Sequence, residues 1–220
     1  MRKDKYEGTD RPKKMDNKGS EIIIKRELSE LDNLVMDFVK MLTNHNIKYV
    51  ITSGYAETIY GQNRICKDIE ILIRNITFEK FLKLWLELEN SYECLNIDDP
   101  VDAYNGYLRN HHAIRIIKNG SPAPVFVLRF VKSELDRALL KYRKKVSIND
   151  QILFIASLEI LIPYKLFSGA EKDIEEAKSL YKRFKKEMNI ALFERYLKDL
   201  EIPEESVKKY IDERLEWKKN

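Results

Sequence analysis

Asp68 and Glu70 stand two positions apart in a run where Ile69, Ile71 and Ile73 take the alternate places. Strand alternation sends both carboxylates to one face and the isoleucines to the other. Carboxylates held side by side repel each other unless a cation lies between them. A hard divalent ion, Mg²⁺ or in its place Mn²⁺, shared with the oxygens of a nucleoside triphosphate, meets that need. Just upstream, Tyr49 to Thr52 is an apolar, β-branched run, Ser53-Gly54 breaks it, and Tyr55 to Tyr60 suits a helix that Gly61 ends. A strand feeding a helix through a tight turn aims unpaired N–H groups and the positive end of the helix dipole at one spot, which suits a phosphate. Gly54 permits close approach of a ligand to the backbone, and the Ser53 hydroxyl can donate to it. Tyr55 is placed to stack on a base or to pack within the helix, and Arg64 to pair with a phosphate or with Asp68.

The stretch from Ser53-Gly54-Tyr55-Ala56 through Gly61 and Arg64 to Asp68-Ile69-Glu70-Ile71 resembles the signature of the DNA polymerase β nucleotidyltransferase superfamily, in its small, minimal branch. There a glycine-glycine or glycine-serine turn opens a short helix, and a strand with Asp-x-Asp or Asp-x-Glu follows. Ser53 stands where many members have the first glycine, Cys66 where threonine is common, and Glu70 where Asp is more frequent. A second stretch, with Lys165-Leu166, Lys172-Asp173 and Glu176, resembles the helical segment after the catalytic domain in small members, including abortive-infection and toxin–antitoxin proteins. The resemblance implies lysines near the nucleotide phosphates, Lys165 or Lys172 neutralising developing charge, and Asp173 helping to hold the nucleotide. It also implies a third carboxylate on a later strand. The run Pro124 to Val131 is the candidate strand and has no acidic residue, with Val127 in the expected place. Glu134 and Asp136 lie just beyond, in what reads as the first turn of a helix, where carboxylates are favoured without any catalytic role.

Other patterns carry a simpler reading. Glu87-x-Glu89 and Asp199-x-Glu201 have the same acidic spacing and suit solvated helix faces. Lys172 and Glu176 form an i, i+4 pair on a helix. Adjacent His111 and His112 would point to opposite faces of a strand, so they do not make a metal site, and His45 falls in a helix-to-strand connection.

The chain has 220 residues, with 40 basic against 36 acidic and a net charge of +4, a balance that does not by itself mark a nucleic-acid binder. Residues 1–20 are rich in Lys and Arg and poor in apolar residues, and read as a disordered basic arm able to follow an RNA backbone or simply to remain solvated. No apolar run is long enough to span a membrane, and no signal-peptide core is present, so a cytoplasmic protein is expected. Cys66 and Cys94 are too few for a disulfide framework.

The elements that must position the carboxylates follow from periodicity. Residues 21–45 carry Ile24, Leu28, Leu31, Val35, Phe38 and Leu42 at helical spacing. The signature strand, helix and acidic strand come next, then a helix over 77–88 and a strand over 92–98. Strands at 112–118 and 125–131 flank the turn Asn119-Gly120-Ser121-Pro122. A helix at 133–144, a strand at 151–156 and a helix capped by Ser157 and kinked by Pro163 complete the pattern, with charged helices beyond 170 broken by Pro203. The expected fold is α+β, a nucleotidyltransferase-like mixed sheet over 21–156 flanked by helices, with a helical extension over 157–220. The expected function is Mg²⁺-dependent transfer of an NMP from an NTP to a hydroxyl of RNA, a protein or a small molecule. The alternatives are a catalytically degenerate module that binds nucleotide or RNA, and the toxin partner of an antitoxin.

Overall fold

A computed structural model describes residues 21–62 and 65–212, which form two compact units meeting in sequence at Ala156 and Ser157. The basic arm expected over 1–20 lies outside the described residues.

The first unit is built on strands β1 (Glu21–Ile24), β2 (Tyr49–Thr52), β3 (Asp68–Ile73), β4 (Tyr92–Cys94), β5 (Ile114–Lys118), β6 (Val125–Phe130), β7 (Lys144–Ile148) and β8 (Gln151–Ile155). They make one eight-stranded mixed sheet in the order β1-β7-β8-β2-β3-β6-β5-β4. Strands β3 and β6 run parallel at its centre, and β2 pairs antiparallel to β3. The helices of this unit are α1 (Glu30–Asn44), α2 (Ser53–Ile59), α3 (Phe78–Leu88), a short turn α4 (Pro100–Asp102) continued by a π turn and a 3₁₀ turn to Asn110, and α5 (Glu134–Lys141).

One face of the sheet is apolar because the inward set of each central strand is apolar. Ile69 and Ile71 of β3, Phe126 and Leu128 of β6, and Ile114 and Ile116 of β5 are all buried in register. Helix α1 locks onto this face through Phe38, which stacks on Phe126 with ring centroids 4.0 Å apart. Tyr104 bridges Phe81 of α3 to Phe130 of β6. The opposite face is covered in part by α5, anchored by a two-pronged guanidinium–carboxylate pair from Arg129 of β6 to Asp136. The ends of β3 and β6 that carry Asp68 and Val127 stay accessible on that face.

Several elements depart from periodicity: the strand expected over 92–98 ends at Cys94, and helical turns follow over Pro100–Asn110. Residues 21–24 are a strand rather than the start of a helix, because Ile22-Ile23-Ile24 is a β-branched run that pairs parallel with β7. Helix α1 begins only after Ser29, whose hydroxyl accepts from the Asp32 N–H while the Asp32 carboxylate accepts from the Ser29 N–H. The helix expected over 133–144 stops at Lys141, and Lys144–Ile148 is β7, with Val146 and Ile148 buried in alternation.

The second unit contains α6 (Leu158–Ser168), α7 (Glu171–Phe184), α8 (Ile190–Asp199) and α9 (Glu204–Tyr210). Helix α6 continues through Pro163 and ends at Gly169, whose φ of +71° favours glycine. Tyr181 of α7 packs on Phe193 of α8 at 5.4 Å between ring centroids, and the Glu159 carboxylate accepts from the Asn189 N–H at 3.0 Å. No described helix is long and apolar enough to cross a membrane.

Candidate functional site

Strand β2 is buried along its whole length and passes directly into α2 at Ser53. Thr52, the residue before the helix, has extended backbone at φ −113° and ψ 172°, and no side chain caps the helix. The Thr52 hydroxyl instead donates to the Glu70 carboxylate at 3.3 Å, so the turn and the acidic strand are tied together. Gly54 is buried in the first turn of α2, and Gly61 closes the exit with φ +83°. Of Ser53 only its place at the start of α2 is described, and Arg64 lies outside the described residues.

Strand β3 realises the alternation its sequence implies. Asp68 and Glu70 are exposed on one face while Ile69 and Ile71 are buried on the other. The register then sets a row across four strands: Thr52 of β2 opposite Glu70, Glu70 opposite Val127 of β6, and Val127 opposite Arg115 of β5. Val127, half-buried, occupies the third position beside the two carboxylates. From the next strand Arg115 reaches across to Asp68, Nη2 to Oδ1 at 3.2 Å. Both side chains are about half exposed, 44 % for Arg115 and 50 % for Asp68. An exposed pair of this kind contributes about 0–1 kcal/mol, because solvent screens it and two long side chains must be held.

The donor set suits one divalent ion. Two carboxylates on one open face offer oxygen ligands, and the remaining positions of a hard cation would have to come from other oxygen donors. It does not suit a cage built by protein alone for two ions, since no described group of three or more His, Cys, Asp or Glu could hold a metal. Asp136 and Glu134 do not make up the difference. Asp136 accepts from Arg129 at 2.8 and 3.0 Å and from the backbone of Lys132 and Ser133. Burial raises its pKa, but those donors outweigh burial and hold it below the usual carboxylate range. Glu134 pairs with Arg137 one turn along α5.

Of the two roles open to Tyr55, stacking on a base or packing within the helix, the structure gives it the packing one. It is fully buried, and its hydroxyl donates to Asp32 Oδ1 at 2.7 Å. Burial first, then the adjacent Asp32 charge, raises the phenol pKa well above its ordinary value. No ring face is left to stack on a base. Asp32, itself buried, also takes the Arg26 guanidinium and the Ser29 hydroxyl. These bonds outweigh the desolvation that would raise its pKa and leave it lowered.

In the second unit Lys165 is buried, its ammonium 3.1 Å from Asp173 and 2.5 Å from Glu176. Ser168 adds a hydroxyl to Asp173 at 2.7 Å. Lys165, Asp173 and Glu176 thus join α6 to α7 as an ion cluster. Lys172 is 68 % exposed and only 3.8 Å from Glu176. Among the histidines, His45 contacts Glu87 at 2.6 Å, tying the end of α1 to α3.

Sequence reasoning missed Thr52 and Arg115 as neighbours of the carboxylates. The alternation of the 112–118 strand could place Arg115 on a face opposite Ile114 and Ile116, but only the β3-β6-β5 register brings it to Asp68.

The chain matches no known protein-family profile and no curated protein. Among solved structures it is similar to an antigenic nucleotidyltransferase-like protein from Paracoccidioides brasiliensis, with a TM-score of 0.50 and 19 % identity over 82 % of this chain and 91 % of that one. At that identity the likeness speaks for the architecture, and with the strand-turn-helix and acidic strand in place the chain has a nucleotidyltransferase-like fold.

Proposed function

We propose that the protein is a nucleotidyltransferase that moves a nucleoside monophosphate from an NTP to a hydroxyl of RNA, a protein or a small molecule. The observation that carries this reading is the side-by-side exposure of Asp68 and Glu70 directly beside the β2–α2 turn. In this reading the two carboxylates hold one Mg²⁺ or Mn²⁺ together with triphosphate oxygens. Such an ion, when bound, neutralises charge developing on the leaving pyrophosphate. Thr52 fixes the Glu70 carboxylate, while Ser53 and Gly54 at the start of α2 lie against the phosphates. The bond formed joins the acceptor oxygen to the α-phosphorus, and the bond broken releases pyrophosphate.

Val127 favours a second reading. With an apolar side chain in the third position, the fold would bind nucleotide without turnover and act as a sensing or RNA-binding module. Incubation with each α-³²P-labelled NTP, Mg²⁺ or Mn²⁺, and pools of RNA and protein acceptors decides between them. Label transfer that disappears in Asp68→Ala/Glu70→Ala supports the transferase and names the acceptor class. Metal-dependent NTP binding with no transfer supports the binding module.

A further inference from the structure

The geometry points to Arg115 as a phosphate-binding residue that rests on Asp68 until metal and triphosphate arrive; this rests on the nucleotide-handling site proposed above. Three features carry it. First, the backbone of Arg115 is held independently of its side chain, its N–H donating to Asn96 Oδ1 at 2.8 Å and its carbonyl accepting from the Leu95 N–H at 2.7 Å. The guanidinium is therefore an arm on a fixed mount.

Second, that arm crosses β6 where Val125 and Val127 face it, so no side-chain polar group on the intervening strand competes for it. It meets Asp68 through one nitrogen only, end-on and half-exposed. Two other guanidinium pairs of this unit are different in kind, and a third, Arg137 with exposed Glu134, lies within the single helix α5. Arg26 and Arg129 each grip a buried carboxylate with both terminal nitrogens, and each supports a capping box. Among the described residues Arg115 caps no helix, and its side chain bonds to a strand carboxylate instead.

Third, the chemistry of exchange is balanced in charge. A divalent ion taking the Asp68 carboxylate displaces a cation from it, and the displaced guanidinium presents a planar fork of N–H donors matched to phosphate oxygens. Arg115 and the metal are thus competitors for Asp68 when metal is alone, and allies once a polyphosphate is present. One ion pair is broken for two binding events, so the first ligand relieves the second of that step.

The test separates these opposite signs. Mn²⁺ binding is measured by calorimetry without nucleotide, and then inorganic tripolyphosphate binding is measured at saturating Mn²⁺, in wild type, Arg115→Gln and Arg115→Lys. Tripolyphosphate reports phosphate recognition without depending on a base. Arg115→Gln should bind Mn²⁺ about threefold more tightly, because the competing cation is gone, and tripolyphosphate about tenfold more weakly, because a charged fork is lost. Arg115→Lys, which keeps charge without the fork, should fall between on tripolyphosphate. If Arg115→Gln weakens both ligands, or leaves both unchanged, the inference is wrong while the site reading stands. If wild type binds neither Mn²⁺ nor tripolyphosphate, the site reading fails and this inference fails with it.

Discussion

Val127 stands directly across from Glu70 in the parallel ladder of β3 and β6, in the row that also holds Thr52 and Arg115. The third seat beside the carboxylates is therefore filled, by a side chain without oxygen ligands. Val127→Asp should raise Mn²⁺ affinity about tenfold, since a further carboxylate strengthens a hard-cation site. Without metal the added charge should lower the urea midpoint, and Mn²⁺ should restore it further than in wild type. Calorimetry and denaturation with and without Mn²⁺ check both effects.

Tyr55 and Asp32 make a core bond rather than a ligand contact. Tyr55→Phe should cost about 1.5–3 kcal/mol, the range for a hydrogen bond to a charged group. It should leave tripolyphosphate affinity at saturating Mn²⁺ within twofold of wild type, a bound set by the ~0.4 kcal/mol that a factor of two represents. A tenfold loss of affinity with unchanged stability would return Tyr55 to the binding surface.

Lys165 and Lys172 should differ sharply. Lys165→Met leaves Asp173 and Glu176 without their shared buried cation, and the cost should be about 3 kcal/mol. Lys172→Ala removes an exposed cation and should change stability by no more than about 0.5 kcal/mol. Urea denaturation of the two variants beside wild type provides the comparison.

Asp32 and Asp136 both have lowered pKa values in the folded chain. A carboxylate depressed on folding stabilises fully above its unfolded pKa, near 4, and the contribution is lost as pH falls through the lower folded value. The urea midpoint should therefore fall as pH drops from about 5 toward 2. Asp136→Asn should lower the midpoint at pH 7 and flatten the acid fall. An acid profile identical to wild type would remove Asp136 from this account.

Where local pattern and tertiary packing agree, the fold was legible. The alternation at Asp68–Ile73 specified which side chains face out, and the helix after Ser133 follows its capping box, whereas the Ser157 hydroxyl makes no cap bond to the helix it precedes. Strand β1 was not legible as a strand because Ile24, Leu28 and Leu31 fall at helical spacing across a loop. The capping pair Ser29 and Asp32 was the available signal for the true start of α1. Strand β7 was hidden because Lys144-Lys145-Val146-Ser147-Ile148 is half polar, and only pairing with β8 makes it a strand. The two carboxylates were legible because their geometry is local. Arg115 was not, since it meets Asp68 from 47 positions away through two intervening ladders. Tyr55 was ambiguous because a two-turn helix does not reveal its inner side from sequence alone.

The pairing of β1 with β7 has a consequence for how the chain is made. Ser147 bonds to Glu21 across 126 positions of sequence, so during synthesis β1 emerges long before its partner exists. Until β7 and β8 leave the ribosome, Ile22, Ile23 and Ile24 have no native strand beside them, and the sheet lacks one border. Completion of that border is a late event in the biography of each molecule.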